Sequence, residues 1–277
     1  VERPDLDLYA ARIGFKGPFA PTPSVLRDIH RRHPLSIPFE NLAALGGEAP
    51  SLDLADIERK LLRSRRGGWC FEHNRLLWTV LEAIGFSVTA LAARVLWQQP
   101  ARARPGRSHM LLLVGTEEGE QLVDVGFGGL TATAPLRLRA EIEQDTPHGR
   151  FRLRQIGAEW QLEALLPQGP VALYRFDLTP QQPVDYGYAN WYLATHPQSP
   201  FATSLILARV VESGRHAYRQ GEYTWRPLDA PAESRRIESP TALRRLLDEA
   251  FQLDIPAALD DARLAALLHN AGTVSFR

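Results

Sequence analysis

Apolar positions in the first third of the chain recur at helical spacing. From Asp5 to Ile13 they fall at Leu6, Leu8, Tyr9 and Ile13, and Gly14 ends the run. Thr22-Pro23 joins a capping hydroxyl to a proline suited to the first helical turn, and leads Val25, Leu26 and Ile29 onto one face. A stripe after Ser51 comprises Leu54, Ile57, Leu61 and Leu62, and another from Leu76 comprises Leu77, Val80, Leu81 and Ile84 before Gly85. Together these segments predict a compact helical bundle.

Beyond Gly85 the period moves toward two. Phe86–Trp97, His109–Val114 and Gln121–Val125 read as strands, the last two joined by a turn at Glu117-Glu118-Gly119-Glu120. Leu136-Arg137-Leu138-Arg139 and Phe151-Arg152-Leu153-Arg154 alternate apolar and basic residues, as half-exposed antiparallel strands do. Trp160–Leu166 and Val171–Leu178 extend the series, which predicts a closed or nearly closed antiparallel sheet. Pro180–Phe201, rich in proline and aromatic residues, predicts one helix. Strands at Leu205–Val211 and Glu222–Arg226 follow, then a helix capped by Ser239-Pro240 and another from about Leu259 to His269.

Composition narrows the function classes. With 277 residues, 44% of them hydrophobic and 23% charged, the chain has the make-up of an ordinary globular protein of two or three small domains. Its formal net charge is zero, which offers neither nucleic acid nor an anionic membrane an electrostatic partner. No apolar run is long enough to span a bilayer, and Val1-Glu2-Arg3-Pro4-Asp5 lacks a signal-peptide core. A single cysteine makes no intramolecular disulfide, so a reducing, cytoplasmic location is expected.

That cysteine, Cys70, stands in Arg66-Gly67-Gly68-Trp69-Cys70-Phe71-Glu72, where a loop gives way to a helix. The first helical turn offers unpaired N–H groups and the positive end of the macrodipole, which favour a thiolate. A thiolate is the nucleophile of acyl-transfer chemistry. The competing reading is a buried structural cysteine that packs as a small hydrophobe. His109 opens an apolar strand after the loop Pro105-Gly106-Arg107-Ser108, and Asp124 lies near the end of the next strand. A short hairpin sets them side by side, the carboxylate orienting the imidazole and the other ring nitrogen facing the thiol. An aspartate in an apolar strand is costly unless paired, which favours this reading over a turn former and a core histidine. His30-Arg31-Arg32-His33 has the spacing of two metal ligands, but its arginines repel a cation. A solvated helix end is expected there, and no metal.

These residues resemble the arylamine N-acetyltransferases. The resemblance is carried by Arg66–Glu72, by His109 and by Asp124-Val125-Gly126-Phe127-Gly128-Gly129. Ile37-Pro38-Phe39-Glu40-Asn41-Leu42, Ala92-Ala93-Arg94-Val95, and Ser199-Pro200-Phe201 after Thr195-His196-Pro197 add to it. It runs from about Leu8 to Phe201 and thins out beyond. It implies an α+β fold with a cysteine-protease-like triad arrangement: a helical bundle over 1–85 with the nucleophile, an antiparallel β-barrel over 86–190 with His109 and Asp124, and an interdomain helix plus α/β lid over 191–277. It further implies a ping-pong reaction in which acetyl-CoA acetylates Cys70 and the acetyl group passes to an aromatic amine or hydrazine, as in xenobiotic metabolism. His109 is then base and acid, and Asp124 the orienting group. Phe39, Val95, Phe127 and Phe201 match acceptor-pocket positions, with ordinary core packing as the alternative. Gly106, Ser108, Gly126, Phe127 and Gly128 match places that meet the pantetheine arm of CoA.

Ser108 stands where many members have threonine, and His73 where glutamine is common. Arg102, Arg104 and Arg107 are candidates for the CoA phosphates, although a solvated loop is the expectation, and the nucleotide site stays unassigned. Arg66 and Glu40 are expected to form an ion pair beneath the cysteine loop, and Cys70 to pair ionically with His109 before substrate arrives. A papain- or transglutaminase-like thiol hydrolase uses the same triad logic and is the rival; a binding domain with a vestigial triad is a third reading. Oligomeric state is open.

Overall fold

Met110, Leu112 and Val114 leave their strand on one side and Leu111 and Leu113 on the other, and both sets are buried. Such a strand must be covered on both faces, and its surroundings explain the architecture. The structure is a computed structural model that describes residues 3–100 and 103–269.

The first third contains α1 (Leu6–Ile13), α2 (Pro23–Ser36), a two-residue strand β1 (Phe39–Glu40), α3 (Leu42–Leu45), α4 (Leu54–Leu61) and α5 (Cys70–Ile84). Asp5 caps α1 by accepting the Leu8 N–H, and Gly14 ends it in the left-handed conformation. Thr22 caps α2 in the same manner, with Pro23 at its first position. Tyr9, Leu26, Ile29, Ile57, Leu61, Leu77, Val80 and Leu81 meet in one core, and Met110, Leu112 and Val114 face into it.

The central sheet is built from β2 (Ser87–Val95), β3 (His109–Thr116), β4 (Gly119–Val123), β5 (Leu136–Arg137), β6 (Glu143–Thr146), β7 (Gly149–Ile156), β8 (Glu159–Leu166) and β9 (Gly169–Phe176). It is antiparallel throughout, in the order β5-β4-β3-β2-β9-β8-β7-β6. Leu91, Leu111, Leu113, Leu122, Phe151, Leu153, Leu162 and Leu173 fill its concave side. The two edge strands are bridged by a side chain: Gln144 Oε1 accepts the Arg137 N–H at 2.8 Å and its Nε2 donates to Arg137 O at 3.1 Å. The barrel is therefore nearly closed, and the bridge masks an otherwise open edge.

Next come α6 (Asp185–Thr195), α7 (Pro200–Thr203), β10 (Ile206–Val211), β11 (Gly214–Arg219), β12 (Glu222–Pro227), β13 (Glu233–Arg236), α8 (Pro240–Glu249) and α9 (Asp261–His269). Tyr186, Leu193 and Ala194 of α6 pack on the helical core. β1 is the edge strand of the last sheet, pairing Phe39 with Ala208 and Glu40 with Leu207. Leu42 and Leu45 of α3 likewise pack into the core under α8 and α9. The fold is α+β, with helices, a barrel and an α/β cover. Among the described residues, no helix is long and apolar enough to cross a membrane.

Some expectations need correction. The end of α2 is not solvated: His30 is 1% and His33 0% exposed. His33 lies between Tyr9 and His73, and His30 against the backbone of Asp124, because α2 is sandwiched between the bundle and the barrel. β6, β11 and β13 lie outside the predicted strands. β11 reads Gly-Arg-His-Ala-Tyr-Arg, with too few apolar residues to alternate, yet Arg215 is buried and donates to Thr131 O and His148 O. Arg102 lies outside the described residues; Arg104 is exposed, and Arg107 pairs with Asp177.

Candidate active site

Cys70 is the first residue of α5, and its thiol is buried at the seam between bundle and barrel. The loop before it is held from below. Glu72, on the first turn, accepts the Trp69 N–H at 3.2 Å and binds Lys60 at 2.7 Å. Burial raises the Glu72 pKa, and the charge and hydrogen bond of Lys60 oppose that rise. Gly67 is required because a Cβ there would stand 1.9 Å from Pro38 O.

Glu40 is fully buried and accepts from Arg66 Nε at 2.9 Å and from the Leu42 N–H at 2.6 Å. The expected Arg66–Glu40 pair is present, and Lys60 lies 3.9 Å from the same carboxylate. Glu40→Gln leaves two cations facing one anion. Both cations retain some solvent contact, so the expected loss is about 2–3 kcal/mol, below that of a fully buried pair. Urea denaturation reads this loss; an unchanged midpoint would show that the pair does not support the loop.

His109 begins β3 and Asp124 follows β4, on the barrel-facing side of both strands. His109 Nε2 donates to Asp124 Oδ2 at 2.7 Å, and both residues are buried. Nδ1 is thereby left for Cys70, whose side chain hydrogen-bonds and interacts electrostatically with the imidazole. Burial lowers the imidazole pKa, but the charge and hydrogen bond of Asp124, with Cys70 adding to them, outweigh it and raise the pKa to about 10. For Asp124 burial acts upward; the charge and hydrogen bond of His109, then Asn74 and Gly126, win and hold the carboxyl below its usual range. The imidazole is thus cationic at neutral pH, between a carboxylate and a thiol. The thiol also points at Ser108 O, 3.8 Å away.

The other singled-out residues divide into groups. The Phe127 ring meets the His109 ring edge-on at 5.4 Å. Val95 pairs across the sheet with Tyr174, whose ring lies 5.0 Å from that of His109. Phe39 and Phe201 lie together at 6.3 Å, Phe201 against Trp69 at 5.6 Å. Asn41 sets Phe201 in place by donating to its carbonyl at 2.7 Å. Gly128 adopts φ +90° beside the Phe39 ring, and a Cβ on Gly126 would lie 2.7 Å from Cys70 Cα, so the close approach at Gly126 is to this chain's own helix. A Cβ on Gly106 would meet nothing within 4 Å.

Two residues of the site were not anticipated. Asn74 is on the helix face of Cys70, four residues later, a spacing that was readable in the sequence. Tyr174, two residues from the end of its strand, carried no such signal.

A buried thiol at a helix start beside an imidazole–carboxylate pair on a barrel wall has the architecture of cysteine-triad enzymes. Residues 23–259 match the profile of the N-acetyltransferase family, well past the point where the motifs thin out. The chain belongs to the arylamine N-acetyltransferase family of acyltransferases. It is 40% identical to the arylamine N-acetyltransferase of Escherichia coli K12 over 261 residues, 94% of this chain and 91% of that protein. The solved arylamine N-acetyltransferase of Mycobacterium smegmatis superposes with a TM-score of 0.90 at 36% identity, covering 95% of this chain and 98% of the other. That of Mycobacterium marinum, solved in complex with CoA, gives 0.90 at 35% identity with the same coverage.

Proposed function

We propose that this protein transfers an acetyl group from acetyl-CoA to arylamines and arylhydrazines through an acetyl-Cys70 intermediate. The observation that carries the proposal is the trio at the seam: Cys70 at a helix start, His109 made basic, and Asp124 paired to it at 2.7 Å. Family membership and the CoA complex of the M. marinum relative support CoA as the donor's carrier.

In the first half-reaction the Cys70 thiolate attacks the acetyl carbonyl. As the C–S bond to CoA breaks, the departing CoA sulfur takes the proton held by His109. In the second, the amine attacks the acetyl-cysteine carbonyl and gives its proton to His109, and the C–S bond to Cys70 breaks to restore the thiolate. Asp124 holds the ring so that one nitrogen always faces the sulfur. On this reading the bundle supplies the nucleophile, the barrel the acid–base pair, and the α/β part the cover. Phe39, Val95, Phe127 and Phe201 shape the acceptor slot, where a flat ring gains from aromatic walls. Gly106, Ser108 and the Gly126–Gly128 turn are the positions assigned to the pantetheine arm.

Incubation with acetyl-CoA alone tests this. A mass increase of one acetyl group on Cys70, discharged by an aniline-type amine, is the expected result. Cleavage of peptides with no adduct would instead favour a thiol hydrolase, and ligand binding indifferent to Cys70→Ser would favour a non-catalytic domain.

A further inference from the structure

We infer that Asn74 is a positioning residue that fixes the rotation of the Asp124 carboxylate and ties it to the helix carrying Cys70; the inference rests on the triad reading above. Asn74 is fully buried. Its amide Nδ2 donates to Asp124 Oδ1 at 2.9 Å and to Met110 O at 2.7 Å, and its Oδ1 accepts the Val125 N–H at 3.1 Å. One side chain thus grips Asp124 itself, the residue after Asp124, and the residue after His109. Both amide hydrogens and an acceptor are engaged, a pattern no aliphatic residue reproduces.

The terminal torsion of an aspartate is soft, so a carboxylate does not hold its own orientation. Here Oδ1 accepts from Asn74 and from the Gly126 N–H, each at 2.9 Å, and Oδ2 accepts from His109, with the Tyr174 hydroxyl also interacting with the carboxylate. The loop also lies directly on the helix: a Cβ on Gly126 would stand 3.0 Å from Asn74 Nδ2 and 2.7 Å from Cys70 Cα. The spacing between nucleophile and carboxylate is therefore set by amide hydrogen bonds from the nucleophile's own helix. Without them the carboxylate turns, His109 is held less firmly, and less positive charge faces the thiol.

The test measures iodoacetamide alkylation of Cys70 against pH, with first-turnover acetylation, in wild type, Asn74→Ala and Asn74→Asp. Wild type is expected to react well below about pH 8.5, where a free thiol ionises. In Asn74→Ala the half-rate pH should rise by about one unit, and kcat should fall about 100-fold with KM for acetyl-CoA little changed. Asn74→Asp keeps the shape. Its carboxyl, while protonated, donates to Asp124 and preserves reactivity; as pH rises it ionises, repels Asp124 and produces a loss that wild type lacks. A structural role alone would lower the melting temperature and leave both profiles in place, so unshifted profiles in folded variants overturn the inference. A wild type unreactive below the ordinary thiol range overturns it differently, by removing the triad reading first.

Discussion

Asp124→Asn is expected to slow acetylation of Cys70 by about 10³–10⁴-fold while leaving the protein folded. The geometry dictates the sign. Asp124 Oδ1 accepts two N–H groups, from Asn74 and Gly126, and Oδ2 accepts the third, from His109. An amide in that place keeps its oxygen toward the two donors, so its NH₂ faces His109. Two donors cannot meet, and Nε2 of the ring must become an acceptor. The ring hydrogen then moves to Nδ1, the imidazole is neutral with its hydrogen toward Cys70, and it can no longer take the thiol proton to leave the thiolate that attacks acetyl-CoA. Rapid-quench mass spectrometry of the acetyl adduct measures the effect. A near-normal rate in a folded variant would remove Asp124 from the orienting role.

Acid should unfold this protein earlier than carboxylate titration alone would, because buried neutral histidines must take up protons. Burial is the first cause lowering the pKa of His30 and of His73 from 6.5 to about 4, and it holds His33 well below its usual value. The hydrogen bonds of His33 and His73 suit only the neutral form. His73 Nε2 donates to Pro38 O at 3.1 Å, so its Nδ1 accepts from His33 Nε2 at 2.9 Å, and His33 Nδ1 accepts from the Tyr9 hydroxyl at 2.9 Å. A proton added to His73 at Nδ1 would set two donors head to head. The unfolded chain binds protons below about pH 6.5 and the folded one only near pH 4, so stability is full above the unfolded value and falls through this window. A depression of that size corresponds to about 3 kcal/mol for His30 and for His73.

His109 acts in the opposite sense. Its folded pKa of about 10 lies above the unfolded one, so its contribution is complete below about pH 6.5 and declines as pH rises toward 10. Denaturant midpoints from pH 4 to 9 should show a steep acid flank, and His73→Gln should make that flank shallower. A profile flat between pH 6.5 and 4.5 would contradict the assignment.

Much of the arrangement of Cys70, His109 and Asp124 was legible along the chain. The stripe Leu77, Val80, Leu81, Ile84 and the stop at Gly85 define α5, and the glycines before Cys70 place the thiol at its start. Apolar runs bounded by the Glu117–Glu120 turn located β3 and β4, and their short connection implied that His109 and Asp124 are neighbours. Apolar periodicity is a local property, so it reports local elements and the faces they bury.

Residues 39–45 lie in the helical third by sequence position, yet Phe39 and Glu40 pair with β10 and Leu42 and Leu45 pack under α8 and α9. His30 and His33, beside arginines, looked solvated; their partners come from α1, α5 and the barrel. Arg215 sits buried on carbonyls of Thr131 and His148. In each case a polar group is stabilised indoors by a partner remote in sequence, and no local pattern encodes which partner arrives. The chain by itself therefore determined the place of Cys70 at a helix start, the helices and most of the strands, because these follow from periodicity and caps. Only the tertiary structure decided the burial of the histidines, the grip of Asn74 on Asp124 and the basicity of His109, because those depend on desolvation and on charges brought together by folding.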